Sequence, residues 1–425
     1  MHILLLSTYF APDIASTGQL MAQLAVELEA LGHQVTVLTG MPHYGTGRIP
    51  PPYHGKLYMR ENWNGIDVRR VYLYPAHQKS NLFQRWLNYT TFNLLSAWVG
   101  AFGDLPRCDV ILTSSPPLTN GLVASWLSRW KRVPFVYGVQ DVYPDVAIRL
   151  GVLKNRVLIA FFEALERFVY RRASAVSVIS ETFRRNLEAK GVPPDKIAVI
   201  PNFADTHLVT PLPRHNPFSA RNELDDAYVV LFAGNVGLSH GLESILEAAR
   251  LLASQKDILF LIVGDGAAKP RLQALASKAR LPNVRFLPFQ PQADVPWLYA
   301  SSDVCLVPLR RGFTENSAPS KLYTILAAAR PVIAAVDPGS DTWTFIQETD
   351  CGLLLPPESP AELAAAVQEL RDTPELGREM GSRGRDRILA EATAAVAAGR
   401  YCALLEQVCG RARDCRTGAP LNTGG

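Results

Sequence analysis

The sequence lacks most of the short signatures that would fix its chemistry at a glance. Its six cysteines (Cys108, Cys305, Cys351, Cys402, Cys409 and Cys415) form no CxxC pair, so neither a zinc ribbon nor a disulfide framework is signalled, and a reducing cytoplasm is the expected compartment. Its eight histidines fall in no HExxH or HxH, which leaves metal-hydrolase chemistry without support. Charge of one sign is scarce as well: 43 basic against 39 acidic residues give a net charge of +4 over 425 residues. That excess is too small to argue for a nucleic-acid partner, and none is expected. "MHILLLSTYF" has no basic leader and runs straight into Pro12 and Asp13, so it reads as a strand rather than a signal peptide. The stretch nearest to a membrane span, Trp86 to Gly103, carries no charge but is interrupted by Asn, Thr, Tyr and Ser. It is a poor lipid span and reads as a buried helix or as a surface dock. No short tandem repeat is present.

What the chain does have is apolar sequence, 48% of residues against 19% charged, in a length that suits two cores. "ILLLS", "TGQLMAQLAVELEALGH" and "QVTVLT" read as strand, helix and parallel strand. Leu20, Leu24, Leu28 and Leu31 share one helical face, and Gly32 ends the helix. Asn64-Gly65 marks a hairpin. Further strands are expected at 109–114, 134–139, 175–180 and 197–201, and the pattern restarts with strands at 228–234, 258–264, 284–288, 303–308, 331–336 and 352–356. The expectation is two doubly wound α/β domains, residues 1–205 and 227–410. A linker would span 206–226, and 411–425 would be a flexible tail. Ligands of such sheets sit beyond the carboxyl ends of the strands, so two such domains would face a common cleft.

Three turns at strand ends can hold an anion. "FAGNVGLSHGLESILEAA" brings Gly234, Asn235, Gly237 and Gly241 between a strand and a helix. Glycines there allow close backbone approach and a helix start offers free N–H groups, although a tight turn needing glycine reads equally well. It is no GxGxxG fingerprint. "VGDGAAKPRL" places Asp265 between Gly264 and Gly266, where capping is the plainer role. "ENSAPSKLYTILAAARPVI" puts Glu315, Ser317, Ser320 and Lys321 against an apolar run. Ser317 or Ser320 can cap the helix, and Lys321 in its first turn opposes the macrodipole unless an anion is bound. In the first half, Asp13, Thr17 and Gly18 follow one strand, and Gln140, Asp141 and Asp145 follow another. A carboxylate there could orient a sugar hydroxyl or act as a base, or serve only as a cap or turn residue.

These segments in this order, with "SVISETFRRNLEAKGVPPDKIAVIPNFAD" and "VRFLPFQPQADVPWLYASSDVCLVPL", resemble the retaining glycosyltransferases of family 4 over residues 1 to 400. The similarity is to the branch of colanic-acid, capsule and O-antigen assembly, including N-acetyl-L-fucosamine transferases. The resemblance implies the GT-B fold, a nucleotide-sugar donor (UDP-linked) on the C-terminal domain, an acceptor on the N-terminal domain, no cofactor and no essential metal. It places Gly18 near the donor phosphates, Asn235 and Gly237 in the diphosphate loop, Ser320 and Lys321 on phosphate, and Phe289 and Gln290 at the base. Asn316 and Thr324 fall where the family commonly has two glutamates, so the ribose ligand is open, and Glu315 is the candidate for the sugar hydroxyls. Asp141 stands beside Gln140, where the family often has histidine; Asp13 and Gln140 would meet the acceptor.

The reaction implied is transfer with retention, the enzyme stabilising charge on the departing diphosphate. The acceptor in this branch is often undecaprenyl-diphosphate-linked, which implies peripheral contact with the inner face of the cytoplasmic membrane. Trp86–Gly103 and the basic runs "SRWKR" and "VYRRA" suit such contact. Two other readings stand beside this one: a GT-B epimerase acting on UDP-N-acetylglucosamine, disfavoured by Gln140, and a non-catalytic nucleotide-sugar-binding subunit.

Overall fold

The computed structural model describes residues 1–13, 15–44, 47–77, 81–313 and 320–417. They form two compact units. Met1–Pro201 joins the chain from Ala394 onward, and Asn202–Thr393 makes the second. The boundary differs from the sequence expectation at both ends. The expected linker 206–226 contains a helix, Pro217–Arg221, started by a reciprocal capping box between Asn216 and Ser219. The last helix packs on the first unit, so the second does not run to 410.

In the first unit the chain runs β1 (His2–Ser7), α1 (Ser16–Ala30), β2 (Gln34–Gly40), β3 (Tyr58–Trp63), β4 (Ile66–Val71), α2 (Leu82–Phe102), β5 (Val110–Ser114) and α3 (Asn120–Lys131). It continues with β6 (Phe135–Val139), α4 (Asp145–Arg149), α5 (Arg156–Arg172), β7 (Ala175–Val178), α6 (Glu181–Ala189) and β8 (Ile197–Val199). The sheet order is β3-β4-β2-β1-β5-β6-β7-β8. Only the β3–β4 hairpin is antiparallel, turned at Asn64-Gly65, both at positive φ. From β1 the chain steps toward β2, and from β5 it steps the other way. Right-handed crossovers therefore put α1 on one face and α2, α3 and α5 on the other. α2 packs on α3, and α3 on α5. Two arginines are buried in β4. Arg70 donates to Glu61 at 2.6 Å, Gly40 O at 3.2 Å and Ala11 O at 2.5 Å, which ties the loops after β1 and β2 together.

The second unit runs α7 (Pro217–Arg221), β9 (Tyr228–Ala233), α8 (Glu243–Leu251), β10 (Ile258–Val263), α9 (Lys269–Lys278), β11 (Val284–Leu287), α10 (Val295–Ala300) and β12 (Val304–Pro308). After these come α11 (Lys321–Ala327), β13 (Val332–Ala335), α12 (Asp341–Thr349), β14 (Gly352–Leu355), α13 (Pro360–Asp372) and α14 (Pro374–Glu391); α15 (Ala394–Thr417) returns to the first unit. Its sheet is parallel throughout, β11-β10-β9-β12-β13-β14. Alternation along β9 feeds both layers: Val229 and Leu231 enter the core with α10, α11 and α12, and Val230 and Phe232 enter the one with α8, α9 and α13. The strand order reverses between β9 and β12 here, and between β1 and β5 in the first unit. Crevices at such reversals, outside the carboxyl ends, are where open α/β sheets bind ligands.

Candidate active site

At the β9–β12 reversal of the second unit, two strand-end turns interlock. Val236 N–H donates to Asp265 O at 2.9 Å, and Ala268 N–H donates to Val236 O at 3.0 Å. A Cβ at Gly264, whose φ is +139°, would fall 1.8 Å from Gly234 O, so only glycine lets these turns cross. A Cβ at Gly266 would meet Asn235 Oδ1 at 2.7 Å, and one at Gly237 would meet Asn235 Nδ2 at 2.8 Å. The expected residues Gly234, Asn235, Gly237 and Gly266 thus form one backbone-lined turn.

Lys321, the first residue of α11, reaches this turn. Its Nζ lies 3.6 Å from the Cβ position of Gly234 and 3.8 Å from the centroid of the Phe232 ring. That nitrogen is buried and has no hydrogen-bond partner among the described residues. Desolvation pulls its pKa down to about 7. His240 stands on the same ring, edge-on at 5.6 Å, and its Nδ1 is also buried without a partner among the described residues. Burial, and then the Lys321 charge, hold His240 well below the usual imidazole range, so it is neutral at pH 7. Beyond β12, Arg310 N–H donates to Ser239 O at 2.8 Å, and its guanidinium pairs with Glu243 at 3.3 Å.

The remaining expected donor residues are placed less centrally. Ser320 precedes α11 but its hydroxyl caps no N–H; Ser317, the other expected cap, lies outside the described residues. Thr324 is half-buried one turn along α11. Phe289 and Gln290 follow β11, whose Leu287 O shares Lys269 Nζ with Gly264 O at 3.0 and 2.6 Å; the Gln290 amide folds back on Pro288 O at 2.8 Å. Glu315, Asn316 and Ser317 lie outside the described residues.

In the first unit, the loops after β1, β2 and β6 gather at the other reversal. Gly18 lies under the β1 turn, its Cβ position 3.1 Å from Tyr9 C and Phe10 N. Asp13 is buried, and its carboxylate accepts the N–H groups of His43 at 3.1 Å and Tyr44 at 2.9 Å, so it binds one loop to another. His43 Nε2 faces Asn88 Nδ2 at 2.9 Å. The amide N–H can only donate, so Nδ1 carries the ring proton and gives it to Met41 O at 3.0 Å. Tyr9 stacks on His43 and meets Tyr44 edge-on. Ser115 links the remaining pair: its Oγ accepts from Gln140 N–H at 3.2 Å and donates to Asp141 O at 3.3 Å. Desolvation raises the Asp141 carboxyl to about 7. Asp145 does not join them; it pairs with Lys190 at 2.8 Å and Asn186 at 3.1 Å.

Sequence reasoning did not single out Tyr9, His43, Tyr44, Phe232, Arg310 or the burial of His240. An aromatic or histidine within four residues of the end of an apolar strand was the available signal for Tyr9, His43 and Tyr44.

The description "Glycosyl transferase 4-like domain" matches residues 17–202, and "Glycosyl transferases group 1" matches 215–387. A D-inositol 3-phosphate glycosyltransferase of Thermomonospora curvata is 31% identical over 386 residues, 85% of this chain and 84% of that one. WcaI of Escherichia coli K12, named for colanic acid biosynthesis, is 27% identical over 398 residues, 91% of this chain and 97% of its own. HepE of Anabaena, solved with UDP and glucose, superposes with a TM-score of 0.72 at 14% identity, covering 96% of this chain and all of that one. The chain belongs to the family 4 glycosyltransferases and has their GT-B fold.

Proposed function

We propose that this glycosyltransferase takes its sugar from a UDP-sugar and passes it, with retention, to a saccharide acceptor in surface-polysaccharide assembly. The observation that carries the donor half is the Lys321 Nζ, buried against the Gly234 turn without a hydrogen-bond partner among the described residues. A buried cation costs several kcal/mol unless an anion arrives to meet it, and a diphosphate supplies one. Lys321 and the amides of residues 234–237 receive the charge that grows on the leaving diphosphate, with no metal ion. Asn235 and Gly266 complete that turn, Ser320 meets a phosphate, and Phe289 and Gln290 flank the base. The ribose is assigned to Thr324 and Asn316, a phosphate to Ser317 and the sugar hydroxyls to Glu315, as the family resemblance implies. In the first unit Gly18 lets α1 start close under the β1 turn, Asp13 shapes the acceptor loop, and Gln140 and Asp141 contact the acceptor. The names of the WcaI relative and of the UDP-bound HepE complex support the pathway and the nucleotide respectively. The acceptor is read as lipid-linked, with work at the cytoplasmic membrane face.

A panel of nucleotide sugars screened by thermal shift tests this. UDP and one UDP-sugar should stabilise the protein in proportion to the logarithm of concentration, and Lys321→Ala should lose that response. If no nucleotide stabilises the chain, or Lys321→Ala responds as well as the parent, the reading fails.

A further inference from the structure

The uncharged stretch from Trp86 is a helix buried along one side only. Along α2, Phe83, Trp86, Leu94, Trp98 and Phe102 are each 56–67% exposed, and their helical spacing draws a stripe about 28 Å long at 1.5 Å per residue. The stripe continues onto α3. Trp98 lies 4.9 Å from Phe102, Phe102 lies 5.2 Å from Trp130, and Trp130 lies 5.9 Å from Trp126, centroid to centroid. Trp126 and Trp130 are exposed, and on α5 so are Val157, Leu158, Phe161 and Phe168. α2 and α3 therefore share a contiguous exposed aromatic run, and α5, which packs on α3, exposes further large apolar side chains, a pattern that marks an interaction face. Among the described residues no helix is long and apolar enough to cross a membrane, so the surface is a face and not a span.

The charge around this face says what covers it. Residues 129–132 carry Arg129, Lys131 and Arg132 and no acid; α5 carries Arg156, Arg167, Arg171 and Arg172. The nearby acids are committed elsewhere. Asp104 pairs with Arg69 at 2.7 Å, Glu166 is buried on Lys190 at 2.8 Å, and Glu163 faces Arg167 at 3.8 Å. Beside Trp130, Arg107, Lys131 and Arg132 line an open cleft of about 510 Å³. Its one carboxylate, Asp109, accepts the His2 N–H at 2.8 Å. A second copy docked face to face would set this basic rim against itself. An anionic leaflet satisfies both parts, tryptophans at the headgroup level and arginines on the phosphates.

We propose that the α2–α3–α5 face of the first unit seats on a bilayer surface bearing anionic phospholipid. The stripe starts at the candidate acceptor loops: Arg85, beside Phe83 and Trp86, donates to Tyr89 at 3.4 Å, and Tyr89 bears on Tyr9. A leaflet along α2 thus ends where the acceptor is read to bind. This role for the surface rests on the lipid-linked-acceptor reading; the surface itself stands on exposure and charge.

Co-sedimentation of the full chain with vesicles tests it. Phosphatidylcholine vesicles containing phosphatidylglycerol should bind the protein, pure phosphatidylcholine should bind it at least about tenfold less, and salt should weaken the binding. Trp98→Ser with Trp130→Ser, and separately Arg129→Glu with Lys131→Glu, should each lower binding by about tenfold or more while keeping the parent's Tm and its response to UDP. Equal binding by parent and variants overturns the proposal. So does absence of binding to anionic vesicles, with or without a dimer in ultracentrifugation that the tryptophan variant abolishes. Vesicle binding lost by these variants supports it even where UDP fails to stabilise the protein, an outcome that would fell only the donor reading.

Discussion

Lys321 is the residue on which most of the chemistry turns, and its environment gives a signed pH dependence. Burial lowers its pKa from 10.5 to about 7 in the empty protein. A diphosphate restores the charged form, so above pH 7 binding must take up a proton. UDP affinity should therefore fall as pH rises from 7 toward 10, by up to about tenfold per unit. Lys321→Ala should flatten that slope and weaken binding at pH 7 by about 10- to 100-fold; calorimetry in buffers of different ionisation enthalpy measures both. Asp141 carries the opposite sign. Its carboxyl is raised from 3.8 to about 7, so the native chain holds a proton there that the unfolded chain has released. Stability on its account is present below pH 4 and lost as pH rises through 7. Asp141→Asn should raise Tm at pH 8 by about 2–4 °C, on the order of 1 kcal/mol after solvent screening, and change little at pH 4. Lysine after a hydroxyl-rich turn was legible in the sequence. Its lack of a partner was not, because that depends on Phe232 and His240, distant in the chain and ordinary in composition.

Among the elements, the strands were legible nearly to the residue, since parallel strands buried on both faces must read as short apolar runs. The glycine turns after β9 and β10 were legible as turns, but the reason for Gly264 was not, because the carbonyl it must clear belongs to Gly234. Gly264→Ala should cost roughly 3 kcal/mol or more, visible as a lower Tm or loss of soluble protein. Gly399→Ala is the contrasting case. That glycine lies in α15 with nothing within 4 Å of its Cβ position, so alanine should stabilise by about 0.5–1 kcal/mol. Helices misled where composition and environment part. α7 was hidden because Pro217 looks like a breaker when it occupies the first turn. From Trp86 onward α2 lacks charge as a core helix does, and only its packing on α3 reveals which side is left in solvent.

For the whole molecule, the two units were legible as a repeated strand pattern, but their ownership of the C-terminal helices was not. Helix propensity says nothing of which sheet a helix will cover. α15 packs on α1 and buries Ala397, Ala398, Tyr401, Leu404, Leu405 and Val408. Tyr401 faces Ser177 of β7 at 3.4 Å. Removing these contacts costs roughly 5–10 kcal/mol, comparable with the stability of a domain. A chain ending at Thr393 should therefore leave its first unit open to proteolysis while a fragment near 202–393 resists. A first unit that melts as in the full chain would contradict this.

The same excursion sets a schedule for synthesis. On the ribosome, every strand of the first sheet emerges long before the helix that shields α1, and the entire second unit must be translated in between. Nascent chains will carry an uncovered greasy flank through that interval, which makes them natural clients of trigger-factor-like holdases. Slowing elongation within the second unit should then lower the yield of the first.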